Sequence, residues 1–277
     1  MAVIDLLSGY SALAVLALGA AGTLVGMVGG LLGIGGGVII VPVLIEILAA
    51  QGLPAEARTP LAIGTAHAAV LLASVSATLA HARSGRVDRA LVRAWLPPML
   101  AGMVAGIAVA QVVAPGVLLG IFAAVASVLG VTLLGPGGGG TGRMRDLGRA
   151  APVPPFLVGA LAAALGIGGG TLSGPSLALL SVPLPRVIGA GAVFNISVAL
   201  PCTIFFVWTG LGAAGLPAGS LGYVSLLPLL ALTVPALAVS PWAARLAPRV
   251  PVSVLRRIFA VCLLLIAARV VLQVLAG

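Results

Sequence analysis

Apolar runs of about 18 residues or more follow one another from Ser11 to Leu275, and a run that long can carry a helix across the hydrocarbon core of a bilayer. Charge is correspondingly scarce. Only 7% of the 277 residues are charged and 61% are hydrophobic, whereas a soluble domain carries about 25% charge. The mean hydropathy is +1.29. Because the runs are unbroken rather than alternating, a transmembrane β-barrel is excluded. The fold class is all-α, a polytopic helical membrane protein embedded in the lipid bilayer. Aromatic residues make up only 4% while glycine occurs 39 times, a composition suited to close helix packing. Gly22 and Gly26, Gly29 and Gly33, and Gly102 and Gly106 supply the matching spacing.

The first 22 residues lack a basic leader region, carry Asp5 instead and run into further apolar sequence, so they read as a retained first helix. Cys202 and Cys262 stand alone in separate apolar segments and read as buried free thiols. All fourteen basic residues are Arg against five acids, a net charge of +9. They do not form a basic face with interleaved aromatics, which argues against nucleic acid as a partner. Instead they cluster between apolar runs, at Arg83, Arg86, Arg89 and Arg93, at Arg143, Arg145 and Arg149, and at Arg245, Arg249, Arg256 and Arg257. That bias places these loops in the cytoplasm.

The pentapeptide GIGGG occurs at residues 33–37 and again at 166–170, each followed five residues later by a proline, Pro42 and Pro175. More of the chain repeats in the same order. Gly64 and Gly85 bracket one apolar segment as Gly189 and Gly210 bracket another, Trp95 aligns with Leu226, and Ile121-Phe122-Ala123 with Ile258-Phe259-Ala260. The sequence therefore predicts two homologous repeats, 1–134 and 153–277, joined by a cytoplasmic linker 135–152 rich in Gly, Pro and Arg.

Each repeat reads as five apolar pieces, at 9–32, 38–50, 60–82, 94–113 and 116–134, then 153–167, 171–182, 187–209, 220–242 and 253–275. The loop 83–93 holds four Arg while its counterpart 210–219 holds none, which predicts an inverted repeat with the N-terminus in the periplasm. The pieces 38–50 and 171–182 reach only about 18–20 Å, short of a core of about 30 Å. They read either as re-entrant arms or, for 153–182, as halves of one broken span in a parallel repeat, giving 8–10 membrane segments.

Backbone without helical hydrogen bonds is tolerated at membrane depth only where it is buried or lines a cavity. A glycine-rich break that opens a short helix leaves N–H groups at a positive helix end, and two such breaks make an anion site without a basic side chain. Gly35, Gly36 and Gly37 with Gly168, Gly169 and Gly170 are the candidates, and tight helix crossing is the competing role for the same glycines. No GK[ST] motif or dinucleotide fingerprint accompanies them.

GGLLGIGGGVIIVPVL, its repeat GALAAALGIGGGTLSGPSLALL and the C-terminal GSLGYVSLLPLL…RRIFAVCLLLIAARVV resemble the sulfite exporter TauE/SafE family, also called the toluenesulfonate uptake permease family. The resemblance implies a secondary transporter of the bacterial cell inner membrane that carries sulfite, sulfonates or related organosulfur anions by alternating access. At Ala190-Gly191-Ala192 the chain departs from the Thr-Ser pair common in that family, which puts contacts there in doubt.

Polar residues at membrane depth complete the candidate list. His67 with Thr65 follows the first break, where an imidazole can bind an oxyanion or accept a proton, or can simply bond a neighbouring carbonyl. Asn195 has the same two readings, as substrate donor or helix–helix bond. Thr171, Ser173 and Ser176 open the second short helix, where they cap its N–H groups or bind the anion. Glu46 is a second proton-coupling candidate or an interfacial acid, and the coupling ion is H⁺ or Na⁺. Ser74, Ser76, Ser197 and Thr203 are expected to bond back to their own helices, and His81 to lie in solvent.

Two His, two Cys and five acids, scattered along the chain, supply neither an enzyme's catalytic cluster nor a metal site, and no cofactor is implied. An anion channel or uniporter for other small carboxylates is the alternative to a secondary transporter. Monomer and homodimer are both open.

Overall fold

The computed structural model describes residues 10–32, 36–83, 87–135, 151–180, 182, 184–246 and 251–276. Among them are ten helices. The first half contains α1 (Ala12–Leu32), α2 (Gly37–Ala50), α3 (Ala55–Arg83), α4 (Arg89–Val112) and α5 (Pro115–Leu134). The second contains α6 (Val153–Leu165), α7 (Gly169–Leu179), α8 (Leu184–Gly210), α9 (Leu226–Leu246) and α10 (Val252–Ala276). A two-residue hairpin, β1 (Ser220–Leu221) and β2 (Val224–Ser225), precedes α9. The chain is all-α in class, and by length and composition five helices, α1, α4, α5, α8 and α9, are able to cross a membrane.

The ninth apolar piece, 220–242, is not helical throughout, because α9 starts only at Leu226. Gly219 at φ +76° and Gly222 at φ +56° turn the chain into the hairpin, a backbone conformation that glycine adopts without steric cost. The helices α3 and α4 begin earlier than their apolar pieces. Glu56 and Arg58 lie in the first turns of α3, and Asp88 caps α4 by accepting the Ala90 and Leu91 N–H groups at 3.1 and 3.0 Å.

Helix α1 packs along α9 and α4 along α6, α3 crosses α8, α5 lies along α10, and α2 and α7 sit against α3 and α8. Exchange of α1–α5 for α6–α10 in order maps every one of these contacts onto itself or onto another of the set. The two long pairs rest on the GxxxG spacings. A Cβ on Gly26 would fall 2.6 Å from the Ala236 carbonyl oxygen, and one on Gly22 would overlap the Leu232 carbonyl. In the other pair Gly102 and Gly106 would overlap the carbonyls of Phe156 and Ala160.

These contacts also set directions. Gly102 against Phe156 and Gly106 against Ala160 make α4 and α6 parallel, while Trp95 stacked on Phe194 and Asp88 paired with Arg186 make α4 parallel to α8. Gly170 faces Gly191 and Gly174 faces Val187, so α7 runs against α8. Helices α6 and α7 are therefore the antiparallel arms of one hairpin. Tyr10, just before α1, bonds Gln51, just past α2, so α1 and α2 form a second hairpin. The first opens toward the side that bears Asp88 and Arg186, the second toward the side of Tyr10 and the β-hairpin.

Gly106→Val should destabilise the protein in detergent by at least about 1–3 kcal/mol, the cost of an overpacked contact. Gly120→Val, on a face of α5 with open space around it, should unfold like the parent. Equal thermal midpoints for the two variants would contradict the crossing.

Candidate functional site at the glycine breaks

The tips of the two hairpins meet. Gly36, at φ +66°, precedes α2 without any side-chain cap, and Gly166, at φ +71°, ends α6. Between them the backbones touch: a Cβ on Gly37 would lie 2.6 Å from the Gly166 carbonyl oxygen and 2.9 Å from Ile167 Cα. Val70 of α3 closes over both breaks, 3.2 Å from the Gly37 position and 2.6 Å from the Gly168 position. Gly169 presses on the Phe194 carbonyl at 2.8 Å, and Gly170 on the Gly191 carbonyl of α8. Gly35 lies outside the described residues.

Every described glycine of the two breaks is thus in a place a side chain cannot enter, so tight crossing is realised here. Several N–H groups that the sequence left open are also taken. The Gly170 N–H donates to Asn195 Oδ1 at 2.7 Å, the Thr171 N–H to the Gly168 carbonyl at 3.0 Å, and the Ile39 N–H to the Gly36 carbonyl at 3.0 Å. Asn195 therefore caps α7 from the neighbouring helix. Ser173 and Ser176 donate to the Gly170 and Leu172 carbonyls at 3.2 and 2.8 Å.

Beside the breaks, two of the candidate side chains are left with unpartnered polar atoms. His67 is wholly buried, stacks on Phe206 with ring centroids 6.1 Å apart, and donates its Nε2–H to the Ala163 carbonyl of α6 at 3.1 Å. That bond assigns the proton to Nε2, so the buried, unpartnered Nδ1 carries the lone pair. Thr171, also 0% exposed, has an Oγ1 with no partner. Both flank the second break, His67 reaching from α3 to the end of α6 and Thr171 standing in the first turn of α7.

Thr65 and Glu46 are drawn elsewhere. Thr65 Oγ1 accepts the Ser225 N–H at 2.9 Å, and Ser225 Oγ in turn meets the Tyr10 hydroxyl at 3.0 Å. Burial pushes the Tyr10 phenol above its ordinary pKa against the opposing effect of its bonds to Ser225 and Gln51, which keeps the hydroxyl neutral. Glu46 is held by Arg269 of α10, whose Nε donates to Oε1 at 2.9 Å while a terminal nitrogen meets Oε2. Arg269 was visible as an isolated charge in the last apolar run; its pairing with Glu46, 223 residues away, was not. Ser197 and Thr203 bond back to Val193 and Ala199 as expected, whereas Ser74 Oγ has no partner. The side chains of Ser76, His81 and Cys262 lie outside the described set, and Cys202 is a buried free thiol. Among the described residues no group of His, Cys, Asp and Glu is placed to hold a metal ion.

The family model named sulfite exporter TauE/SafE matches residues 18–270. The chain belongs to that family. It is also 27% identical over 260 residues to a protein of Haemophilus influenzae described as a probable membrane transporter protein, covering 91% of this chain and 96% of that one. No solved structure matches. The chain is a multi-pass membrane transporter of the TauE/SafE family, and the breaks at its centre are the candidate for what it carries.

Asn195→Ala should cost about 1–3 kcal/mol by stranding the buried Gly170 N–H. Thr171→Val, which removes a hydroxyl without a partner, should leave the unfolding transition unmoved or raised. A larger loss from Thr171→Val than from Asn195→Ala would show that the hydroxyl has a structural partner.

Proposed function

We propose that this TauE/SafE transporter moves sulfite, sulfonates or related small organosulfur anions across the bacterial inner membrane by alternating access at the meeting point of the two hairpins. The observation that carries the proposal is the apposition of Gly37 with Gly166, which brings two broken helices, opening to opposite sides, together beside His67 and Thr171. Irregular backbone in such a place is tolerated because protein covers it, and the first turns of α2 and α7 bring positive helix ends to one locus. The name of the family supplies sulfite as the first anion to test.

In this mechanism Thr171 Oγ1 donates to the anion, and His67 Nδ1 takes up a proton. The imidazolium so formed keeps its Nε2–H on Ala163 and turns Nδ1 into a charge-assisted donor, which couples anion binding to a proton. Glu46, committed to Arg269, serves the outer packing instead. The exchange symmetry of the helix contacts supports two repeats, 1–134 and 153–277, around the linker 135–152. Their inversion is supported by the opposite openings of the hairpins and by Asp88 and Arg186, one from each half, meeting at 3.7 Å on the arginine-bearing side.

Binding of sulfite, thiosulfate, methanesulfonate and acetate to the purified protein tests the substrate class. Sulfur anions should bind, and exclusive binding of acetate would move the protein to carboxylates. His67→Gln retains an amide donor for Ala163 and should fold, yet weaken anion binding roughly ten- to a hundredfold, the worth of one hydrogen bond to a charged group. Undiminished affinity would remove His67 from the site. For topology, Arg89→Cys and Ala214→Cys should react with an impermeant thiol reagent from opposite sides, Ala214→Cys from the periplasm; labelling from one side would rule out the inversion.

A further inference from the structure

Many hydroxyls within these helices bond back to their own backbone. Ser176, Ser197, Thr203, Thr209 and Thr233 each donate to the carbonyl four residues back, at 2.7–2.9 Å. Ser74 and Thr78 of α3 depart from this pattern, and the Ser74 Oγ and Thr78 Oγ1 atoms are buried without a partner. So is His67 Nδ1 on the same helix. Positions 67, 74 and 78 stand at i, i+7 and i+11, which superimposes them on one face over about 17 Å of helix. The line starts at the glycine breaks, where His67 bonds Ala163, and descends toward Arg83 at the end of α3. One flank of α3, about 80–140° around the helix from His67, is different in kind: Leu72, Val75 and Leu79 are exposed on the outer surface of the molecule.

A buried polar atom without a partner costs free energy that a lost hydrogen bond would cost, and the usual partner where protein supplies none is water. A hydroxyl within a helix has its own backbone as an ever-present alternative, so two neighbouring hydroxyls on one face that decline it mark a line of polar contact. The occurrence of three such atoms in register, ending at a histidine, is what separates this face from a scatter of small residues. His67 and Ser74 are 0% and 3% exposed and Thr78 is half-buried with its Oγ1 covered, so the line runs inside the protein and nears the surface at Thr78.

We propose that the His67–Ser74–Thr78 face of α3 lines a water-filled route from the glycine breaks to the arginine-bearing side of the membrane. The route rests on the transport reading only for what travels through it; its hydration is a separate property and is tested separately. Water along this face gives His67 Nδ1 a proton donor from one side alone, while the Tyr10–Ser225–Thr65 bonds close the other side.

Ser74→Cys, Thr78→Cys and, as a lipid-facing control, Val75→Cys are introduced singly in a protein carrying Cys202→Ala and Cys262→Ala that retains transport. Each is exposed in membranes to an anionic methanethiosulfonate, whose thiosulfonate sulfur is attacked by the thiolate formed only where water reaches, giving a mixed disulfide and releasing methanesulfinate. Ser74→Cys and Thr78→Cys should react at least about tenfold faster than Val75→Cys, equivalent to a thiol pKa lower by one unit or more, and only with reagent on the arginine-bearing side. Reaction no faster than at Val75→Cys, or reaction from the opposite side, overturns the route. As a check independent of cysteine, Ser74→Val with Thr78→Val should slow transport while leaving anion affinity and thermal stability undiminished. Unchanged transport overturns the route. The binding panel for sulfur anions can fail while the labelling succeeds, and the reverse, so the two claims fall separately.

Discussion

The contact between Gly37 and the Gly166 carbonyl is the constraint on which the centre of this transporter depends. Neither break could stand alone in lipid, where an unbonded backbone group costs several kcal/mol. Each is covered by the other and by Val70 of α3, and the cover holds only because no Cβ intervenes. The same economy of side chains operates further out. Gly22 and Gly26 admit α9, and Gly102 and Gly106 admit α6, so that dispersion contacts between backbones replace the hydrophobic effect that lipid cannot supply.

Much of this was legible in the amino-acid sequence because hydropathy is nearly all that lipid asks of a helix. The apolar pieces and the ten helices agree to within a few residues wherever a helix begins or ends in apolar sequence. They part where polar residues belong to the helix, as at Glu56, Arg58 and the Asp88 cap, and where apolar residues do not, as in the hairpin that contains Val224. The glycine pair was also legible as a break. What the glycines do there was not, since free N–H groups and close crossing call for the same residue.

The side chains show where one-dimensional reasoning stops. Asn195 can donate or accept, and the geometry makes Oδ1 an acceptor for Gly170. Thr65 and His67 are two residues apart yet on different faces, so one joins the β-hairpin while the other reaches α6. Ser74 and Ser197 are alike in sequence context, and only the latter bonds to its own helix. For Asn195, Thr65 and His67 the deciding partner is at least 25 residues away, and for Ser74 it is absent, so nothing local to these residues encodes it.

The ties that hold the two ends of the molecule are unequal in kind. At one end Tyr10, Ser225 and Thr65 form a buried chain of neutral hydrogen bonds. At the other, Arg186 and Asp88 approach to 3.7 Å with side chains 58% and 24% exposed, a pair of the sort worth at most about 1 kcal/mol and weakened by dissolved salt. A change in ionic strength would therefore weaken the Arg186–Asp88 tie, as it would the exposed Arg269–Glu46 pair, while leaving the Tyr10–Ser225–Thr65 chain untouched.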